Sequence, residues 1–345
     1  MDISSLSSTA KSLVDKKKGI LAADWSEGSA TKYFDKYGIR STEESRRQYR
    51  LMLFTTSGIE EFISGVILHD ETIRQLADDG TPIAKVLSDR GIIPGIKVDK
   101  GTVDMANFPG EKITEGLDGL RDRLLEYAGM GAKFTKWRAV ISIGDGLPTK
   151  TALEANMHDL ARYAALSQEV GLVPIVEPEV LLEGDYSITE NRNVTEAGLK
   201  VLYELLVDHR VFLEGTLLKP NMVQAGKEYS ERPKPEEIAK ETISTFKEVV
   251  PKEVPGVVFL SGGQSPEEAT ANLNAINKTG GAPWELSFSY ARALQQPVLE
   301  VWGGKPEKKD EAQEIFLKRA KLNSLARQGL FKNEMEAQGV LNSKF

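Results

Sequence analysis

Short apolar runs, bounded by glycine, proline or charged residues, recur along the chain at intervals of roughly 30–45 residues, the span of one βα unit. Eight stand out: Gly19–Asp24, Ser64–Asp70, Ile92–Asp99, Phe134–Ile141, Leu172–Glu179, Val211–Asn221, Gly256–Gly263 and Trp284–Tyr290. Several are apolar at nearly every position, as in Val257-Val-Phe-Leu260. That is the pattern of a parallel strand covered on both faces. Between most of these runs the pattern becomes helical. Leu153, Met157, Leu160 and Ala164 repeat at steps of four, three and four, and Gly171 closes that segment. Leu199, Leu202 and Leu206 mark another helix, and Ile238, Thr242, Phe246 and Val249 the next. Two helix starts read as capping boxes. Ser41-Thr-Glu-Glu44 precedes Tyr49, Met52 and Leu53, and Ser265-Pro-Glu-Glu268 puts proline at the first helical position ahead of Leu273 and Ile276.

Eight βα units predict an α/β fold, a closed (β/α)8 (TIM) barrel, with a doubly wound open sheet as the alternative. No linker rich in proline, glycine or serine divides the chain, so residues 1–330 are expected to form one domain. The last amphipathic segment, Asp310 to Gln328, ends near Gly329. Residues 331–345 follow as a polar tail without a core of its own and are expected to be mobile.

Composition narrows the function by exclusion. The 345 residues are 40% hydrophobic and carry a formal charge of −7, which argues against a nucleic-acid partner. Lys16-Lys17-Lys18 is too short to change that and reads as a solvated helix end. No run is long and apolar enough to cross a membrane, and Met-Asp-Ile-Ser-Ser-Leu lacks the apolar core of a signal peptide. A cytoplasmic location is the expectation, any transit peptide being absent from this sequence. There is no cysteine, so disulfides and thiolate chemistry drop out. The three histidines, His69, His158 and His209, are far apart along the chain and form no His-x-x-x-His pair. Neither a metal nor a cofactor is expected.

The run Phe212-Leu-Glu-Gly-Thr-Leu-Leu-Lys219-Pro-Asn221 ends an apolar strand on a lysine. A lone lysine there would ordinarily snorkel to solvent. An ammonium held among leucines instead loses solvation, its pKa falls, and the neutral amine can attack a carbonyl to form a Schiff base. The choice between these readings rests on what else converges. Active sites of such barrels lie at the C-terminal ends of the strands. Those ends supply Asp24 from the first, Lys97 and Asp99 from the third with Lys100 just beyond, Lys136 and Arg138 from the fourth, and Glu177 and Glu179 from the fifth. Alternation puts Lys136 and Arg138 on one face of their strand and Glu177 and Glu179 on one face of theirs. Two cations, three carboxylates and a lysine in one barrel mouth cost too much desolvation for stability alone to explain.

Ser261-Gly262-Gly263, ahead of the capped helix at Ser265, reads as an anion site in which backbone N–H groups and the helix dipole meet a phosphate. Ser289 and Arg292, at and after the eighth strand, would complete it. Ser26, Gly28, Ser29 and Lys32 are weaker candidates for a second phosphate. The parts describe a carbon–carbon lyase acting on a phosphorylated ketose. Lys219 condenses with the ketone, Lys136 keeps it neutral by like-charge repulsion, Glu177 shuttles protons, and Asp24 polarises a hydroxyl or orients Lys219.

These residues also carry a resemblance. Gly19-Ile-Leu-Ala-Ala-Asp24, Gly95-Ile-Lys-Val-Asp-Lys-Gly101, Lys136-Trp-Arg138, Val173-Pro-Ile-Val-Glu-Pro-Glu179, Glu214-Gly-Thr-Leu-Leu-Lys-Pro-Asn-Met-Val223, Leu260-Ser-Gly-Gly-Gln-Ser265 and Phe288-Ser-Tyr-Ala-Arg-Ala-Leu-Gln295 resemble the class I, Schiff-base fructose-bisphosphate aldolases over nearly the whole chain. The resemblance implies reversible cleavage of fructose 1,6-bisphosphate, in glycolysis or gluconeogenesis, to dihydroxyacetone phosphate and glyceraldehyde 3-phosphate, without a metal. It implies Lys219 as the Schiff-base lysine and Asp24, Lys136, Glu177 and Glu179 as its acid/base and electrostatic partners. Ser261, Gly262 and Arg292 would hold the phosphate of the dihydroxyacetone half, and Ser26, Ser29, Lys100 and Arg138 would face the other phosphate. A homotetramer is also implied. Four positions depart from the family's pattern: Trp25 replaces a glutamate, Tyr33 an arginine near the second phosphate, Ala291 a glycine, and Phe345 a terminal tyrosine. The alternatives are the same chemistry on sedoheptulose 1,7-bisphosphate or fructose 1-phosphate, a transaldolase-like transfer, and a non-catalytic scaffold.

Overall fold

Eight parallel strands follow one another around a closed ring in chain order. The computed structural model describes residues 2–337. The strands are β1 (Gly19–Ala22), β2 (Ile63–Leu68), β3 (Ile93–Lys97), β4 (Phe134–Ile141), β5 (Val173–Val180), β6 (Leu217–Leu218), β7 (Gly256–Phe259) and β8 (Glu285–Tyr290). Each pairs with the next, and β8 closes onto β1, so the open-sheet alternative falls away. Every position of β1, β2, β5 and β7 is buried, as their continuous apolar runs predict. The run Val211–Asn221 yields only the two residues of β6. Leu213–Gly215 turns as a 3₁₀ helix before it, and Pro220, which has no N–H, follows it.

Helices cover the outside, among them Glu27–Asp35, Glu43–Phe54, Lys150–Glu169, Ile188–Asp208, Pro235–Val249, Pro266–Thr279 and Arg292–Trp302. The Ser265 box forms as its sequence predicts. The Ser265 hydroxyl accepts from the Glu268 N–H at 3.1 Å, and the Glu268 carboxylate accepts from the Ser265 N–H at 2.8 Å. The other box lies one residue later than its pattern suggested. Thr42 caps the helix reciprocally with Ser45, and Glu44 is drawn off to Arg47 at 2.7 Å. An exposed hairpin, Thr102–Asp104 with Lys112–Thr114, rises between β3 and β4 and was not anticipated.

The floor of the barrel is sealed by a helix, Ile3–Leu13, that the hydrophobic pattern did not reveal. Its Leu6, Ala10 and Leu13, with Val14, pack against Ile20, Phe134 and Val258 inside the ring. Glycine makes the room. A Cβ on Gly65 would lie 2.7 Å from Leu13, and one on Gly256 would lie 2.6 Å from Val14. At the other terminus, helix Lys309–Arg327 ends before Gly329, whose φ of 69° suits glycine. Phe331 is buried and its N–H donates to the Asn274 side chain at 3.0 Å, while Glu336 pairs with Arg319 at 2.7 Å. The packed body therefore runs past residue 330, as far as Glu336. Residues 338–345, Phe345 included, lie outside the described residues. Two histidines far apart in sequence meet on the surface, His209 Nε2 lying 3.2 Å from His158 Nδ1. No helix of the described residues is long and apolar enough to cross a membrane.

Candidate active site

The strand ends open into a cavity of about 740 Å³. Asp24, Ser26, Ser29, Lys100, Lys136, Arg138, Glu177, Glu179, Lys219, Ser261, Gly262, Ser289 and Arg292 all line it. Gly28, Lys32 and Gly263 are the candidates that do not line it. Gly262 and Gly263 both take positive φ, 48° and 84°, and the turn they make puts Gly263 on the wall of a neighbouring cavity of about 480 Å³.

Register explains the convergence. Lys97 pairs with Lys136 across β3 and β4, and Arg138 pairs with Glu177 across β4 and β5. At the centre, Lys136 Nζ lies 2.6 Å from Asp24 Oδ2 and 3.1 Å from Glu177 Oε2. The other oxygen of Glu177, Oε1, lies 3.1 Å from Lys219 Nζ. One carboxylate thus stands between two lysine Nζ atoms, and Lys136, Glu177 and Lys219 are each no more than 4% exposed. The backbone fixes the height of Lys219: its N–H donates to the Val176 carbonyl at 2.8 Å. The Asn221 side chain ties the following turn to β5 by accepting from the Val180 N–H at 3.0 Å.

The electrostatics are those of a buried, compensated cluster. Burial works against the charge of Asp24. Lys136 and then Lys219 overcome it and hold the carboxyl well below the usual carboxylate range. Burial alone would likewise lower Lys136, yet Asp24 and Glu177 raise it above the usual lysine range. Outside this core, Arg138 Nε lies 2.5 Å from Glu179 and Lys97 Nζ lies 2.6 Å from Asp99. The Asp99 carboxylate also accepts from the Arg138 N–H at 3.2 Å, which locks the third and fourth strand ends together. Glu179 is buried, but Arg138 prevails and its carboxyl is lowered.

The two flanks differ. Toward β7 and β8, Ser261 and Ser289 are buried, and the Ser289 hydroxyl has no hydrogen-bond partner among the described residues. A buried hydroxyl left without a partner at a cavity wall is an open hydrogen-bonding position. Ala291 adopts φ −99°, outside the left-handed region that would demand glycine. Toward β1, Ser26 caps helix Glu27–Asp35 by accepting from the Ser29 N–H at 3.3 Å, and the two hydroxyls are 3.2 Å apart. Trp25 and Tyr33, two of the four departures, touch each other with ring centroids 4.5 Å apart. Trp25 also stacks on buried Tyr49 at 6.4 Å. Arg50, paired with Glu71 at 2.7 Å, donates to the Trp25 carbonyl at 2.7 Å and so braces the segment that carries Asp24.

Sequence reasoning drew nothing from the end of β2 and so missed His69, which lines the cavity beside Asp24 and Lys97. The signal was present, because His69 ends the second apolar run as Lys219 ends the sixth. Its Nδ1 accepts from the Glu71 N–H at 3.4 Å, and burial with Arg50 nearby lowers its pKa to about 4, leaving it neutral at pH 7. Arg74 and Tyr127 close the far wall, and no strand-end pattern marks them. Among the described residues no group of three or more histidine, aspartate or glutamate side chains is arranged to hold a metal ion.

Known proteins match this architecture along its length. The family model described as fructose-bisphosphate aldolase class-I matches residues 5–345. A probable fructose-bisphosphate aldolase class 1 from Xanthomonas campestris is 52% identical over 338 residues, covering 96% of this chain and all of that protein. The cytosolic fructose-bisphosphate aldolase 4 of Arabidopsis thaliana is 52% identical, covering 92% of this chain and 81% of the plant protein. Among solved structures, the fructose-bisphosphate aldolase of Plasmodium falciparum, there in complex with TRAP and a small-molecule inhibitor, superposes with a TM-score of 0.95. It is 47% identical, and the match covers 96% of each chain.

Proposed function

The chain belongs to the class I fructose-bisphosphate aldolase family and is an aldehyde-lyase that cleaves fructose 1,6-bisphosphate through a lysine Schiff base; from that premise we propose that Lys219 is the lysine. The observation that carries the assignment is the bridge Lys136–Glu177–Lys219, with both Nζ atoms 3.1 Å from one buried carboxylate. Lys219 Nζ attacks the ketone carbon, and Glu177 takes the proton that the attacking amine must lose. Glu177 then returns a proton to the carbinolamine hydroxyl, which leaves as water. The iminium draws electrons from the bond between the third and fourth carbons as the hydroxyl on the fourth carbon gives its proton to Glu177, again a carboxylate after the loss of water. Glyceraldehyde 3-phosphate departs, the enamine is protonated at the third carbon, and water releases dihydroxyacetone phosphate from Lys219. Asp24 and Glu179, held charged by Lys136 and Arg138, stabilise the iminium and position the substrate hydroxyls.

In this reading the ketone-end phosphate sits at Ser261, Gly262, Ser289 and Arg292, and the aldehyde-end phosphate faces Ser26, Ser29, Lys100 and Arg138. Gly263, on the far side of the loop, contributes the turn that its positive φ permits and its backbone N–H. The uncharged Trp25–Tyr33 wall beside Ser26 favours a second reading, a raised share of fructose 1-phosphate among the substrates. We extend the proposal to a single catalytic domain, expected over 1–330 and reaching Glu336 in the packed body, to a homotetramer on the family resemblance, and to the cytoplasm on the relatives named cytosolic. A coupled assay with fructose 1,6-bisphosphate tests the chemistry. Turnover should persist in a chelator and vanish in Lys219→Met; activity abolished by the chelator, or retained in the variant, refutes it.

A further inference from the structure

Most cations of the mouth are already compensated. Lys97, Lys136, Arg138 and Lys219 each face a carboxylate within 3.1 Å. Two cations beside the Ser261–Gln264 loop are not. Among the described residues neither the Arg292 nor the Lys227 side chain makes a hydrogen bond or a close ion pair, and Arg292 meets Glu179 only at longer range, helping to lower its carboxyl. They nevertheless point at one place. A Cβ built on Gly263 would lie 2.8 Å from Lys227 Nζ and 3.7 Å from an Nη of Arg292. The root of Lys227 is fixed, since its N–H donates to the Leu182 carbonyl at 2.8 Å and the Gly226 N–H donates to the Tyr186 carbonyl at 2.9 Å. The side chain reaches from that anchor back across the glycine turn.

Glu179, whose Oε1 lies 4.0 Å from where a Cβ on Gly262 would stand, is already paired with Arg138. The N–H groups of Gly262 and Gly263 have no acceptor among the described residues, and the buried Ser289 hydroxyl has no partner. Two unpaired cations, two free backbone donors and an open hydroxyl around one turn match a phosphate dianion. We propose that Lys227 is a further ligand of the ketone-end phosphate, reaching it from the outer side of the Ser261–Gln264 loop while Arg292 reaches it from the cavity. The assignment rests on the phosphate placement proposed above. Lys227 raises the preference for dianionic ketones over uncharged ones and takes no part in the carbon–carbon step. Because it is exposed, its contribution is modest and screened by salt.

The test compares dihydroxyacetone phosphate with dihydroxyacetone, which lacks the phosphate, each trapped on the intact enzyme by borohydride. In Lys227→Ala the half-saturating concentration of the phosphate should rise roughly five-fold relative to that of dihydroxyacetone. Lys227→Arg should restore the ratio, and high salt should shrink the difference. A merely structural lysine would shift both ketones together and leave the ratio unchanged, which overturns the proposal. Arg292→Ala separates the two levels of inference. A collapsed ratio there with an unchanged one in Lys227→Ala removes Lys227 alone, whereas no change in either variant removes the phosphate placement as well.

Discussion

The two ends of the same barrel are built from opposite materials. At the floor, Leu6, Leu13 and Val14 fill the ring with hydrocarbon, and glycines in β2 and β7 leave the space. At the mouth, Asp24, Lys136, Glu177 and Lys219 are buried too but are ionisable. The floor returns free energy for every group it hides. The mouth returns it only while each charge keeps its partner, because an ion pair out of water roughly breaks even and a broken one does not. Chemistry is confined to the mouth, whereas stability is held at both ends by different means. Floor substitutions should therefore change stability alone, and mouth substitutions should change activity and, where a charge loses its partner, stability too.

The largest expected effect is at the centre. Lys219→Met removes the nucleophile and should lower kcat by more than about 10⁴-fold, with the melting temperature little changed. Measurable cleavage at the wild-type rate would place the Schiff base elsewhere. Glu177→Gln keeps the shape but not the proton acceptor, and kcat should fall about 10²–10⁴-fold. A change confined to KM would make Glu177 a binding group only.

Lys136→Met breaks the pairing that makes the mouth tolerable, and the loss of stability should be about 3–5 kcal/mol by denaturant unfolding. Its pH dependence follows from the signs. In the wild type the lowered Asp24 gives stability present above the unfolded carboxyl value and lost as pH falls through the lowered one. The raised Lys136 gives stability present below the unfolded lysine value and lost as pH rises through the raised one. From about pH 5 to 9 their joint contribution is flat. In the variant, burial acts on Asp24 without its largest opposing charge and pushes the carboxyl upward. The gap to wild type should be widest at neutral pH and narrow toward pH 4. A gap independent of pH would mean that Asp24 does not depend on Lys136.

The floor predicts the converse. Leu13→Ala should cost about 2–5 kcal/mol of stability through the cavity it leaves, with kcat unaltered where the protein remains folded. A lowered kcat with full stability would show that the floor shapes the mouth. The smallest effect is expected at the β1 flank. Tyr33→Arg adds a cation beside Ser26 and should raise the ratio of activity on fructose 1,6-bisphosphate to that on fructose 1-phosphate by roughly two- to five-fold. An unchanged ratio would take Tyr33 out of substrate choice.

What could be read in advance follows the same division. The strand ends of the mouth were legible because charge at the end of an apolar run violates the local pattern, and each violation marks one residue of the site. Lys219, Glu177 and Lys136 were found in that way. His69, a polar residue at the end of the second apolar run, breaks the pattern in the same way. The floor was illegible for a physical reason. Ile3–Leu13 is rich in serine, so its apolar stripe is narrow, and its partners lie up to β7 along the chain. The hairpin after β3 is exposed and shows no alternation strong enough to name it. Lys227 looked like any surface lysine until the fold laid it over Gly263.

The central claim is that the buried bridge makes Lys219 the electrophile-forming lysine. The most direct measurement incubates the enzyme with dihydroxyacetone phosphate, reduces with borohydride and locates the adduct by peptide mass. The account predicts one adduct, on Lys219, absent from Lys219→Met. An adduct on another lysine, or none at saturating substrate, would contradict it.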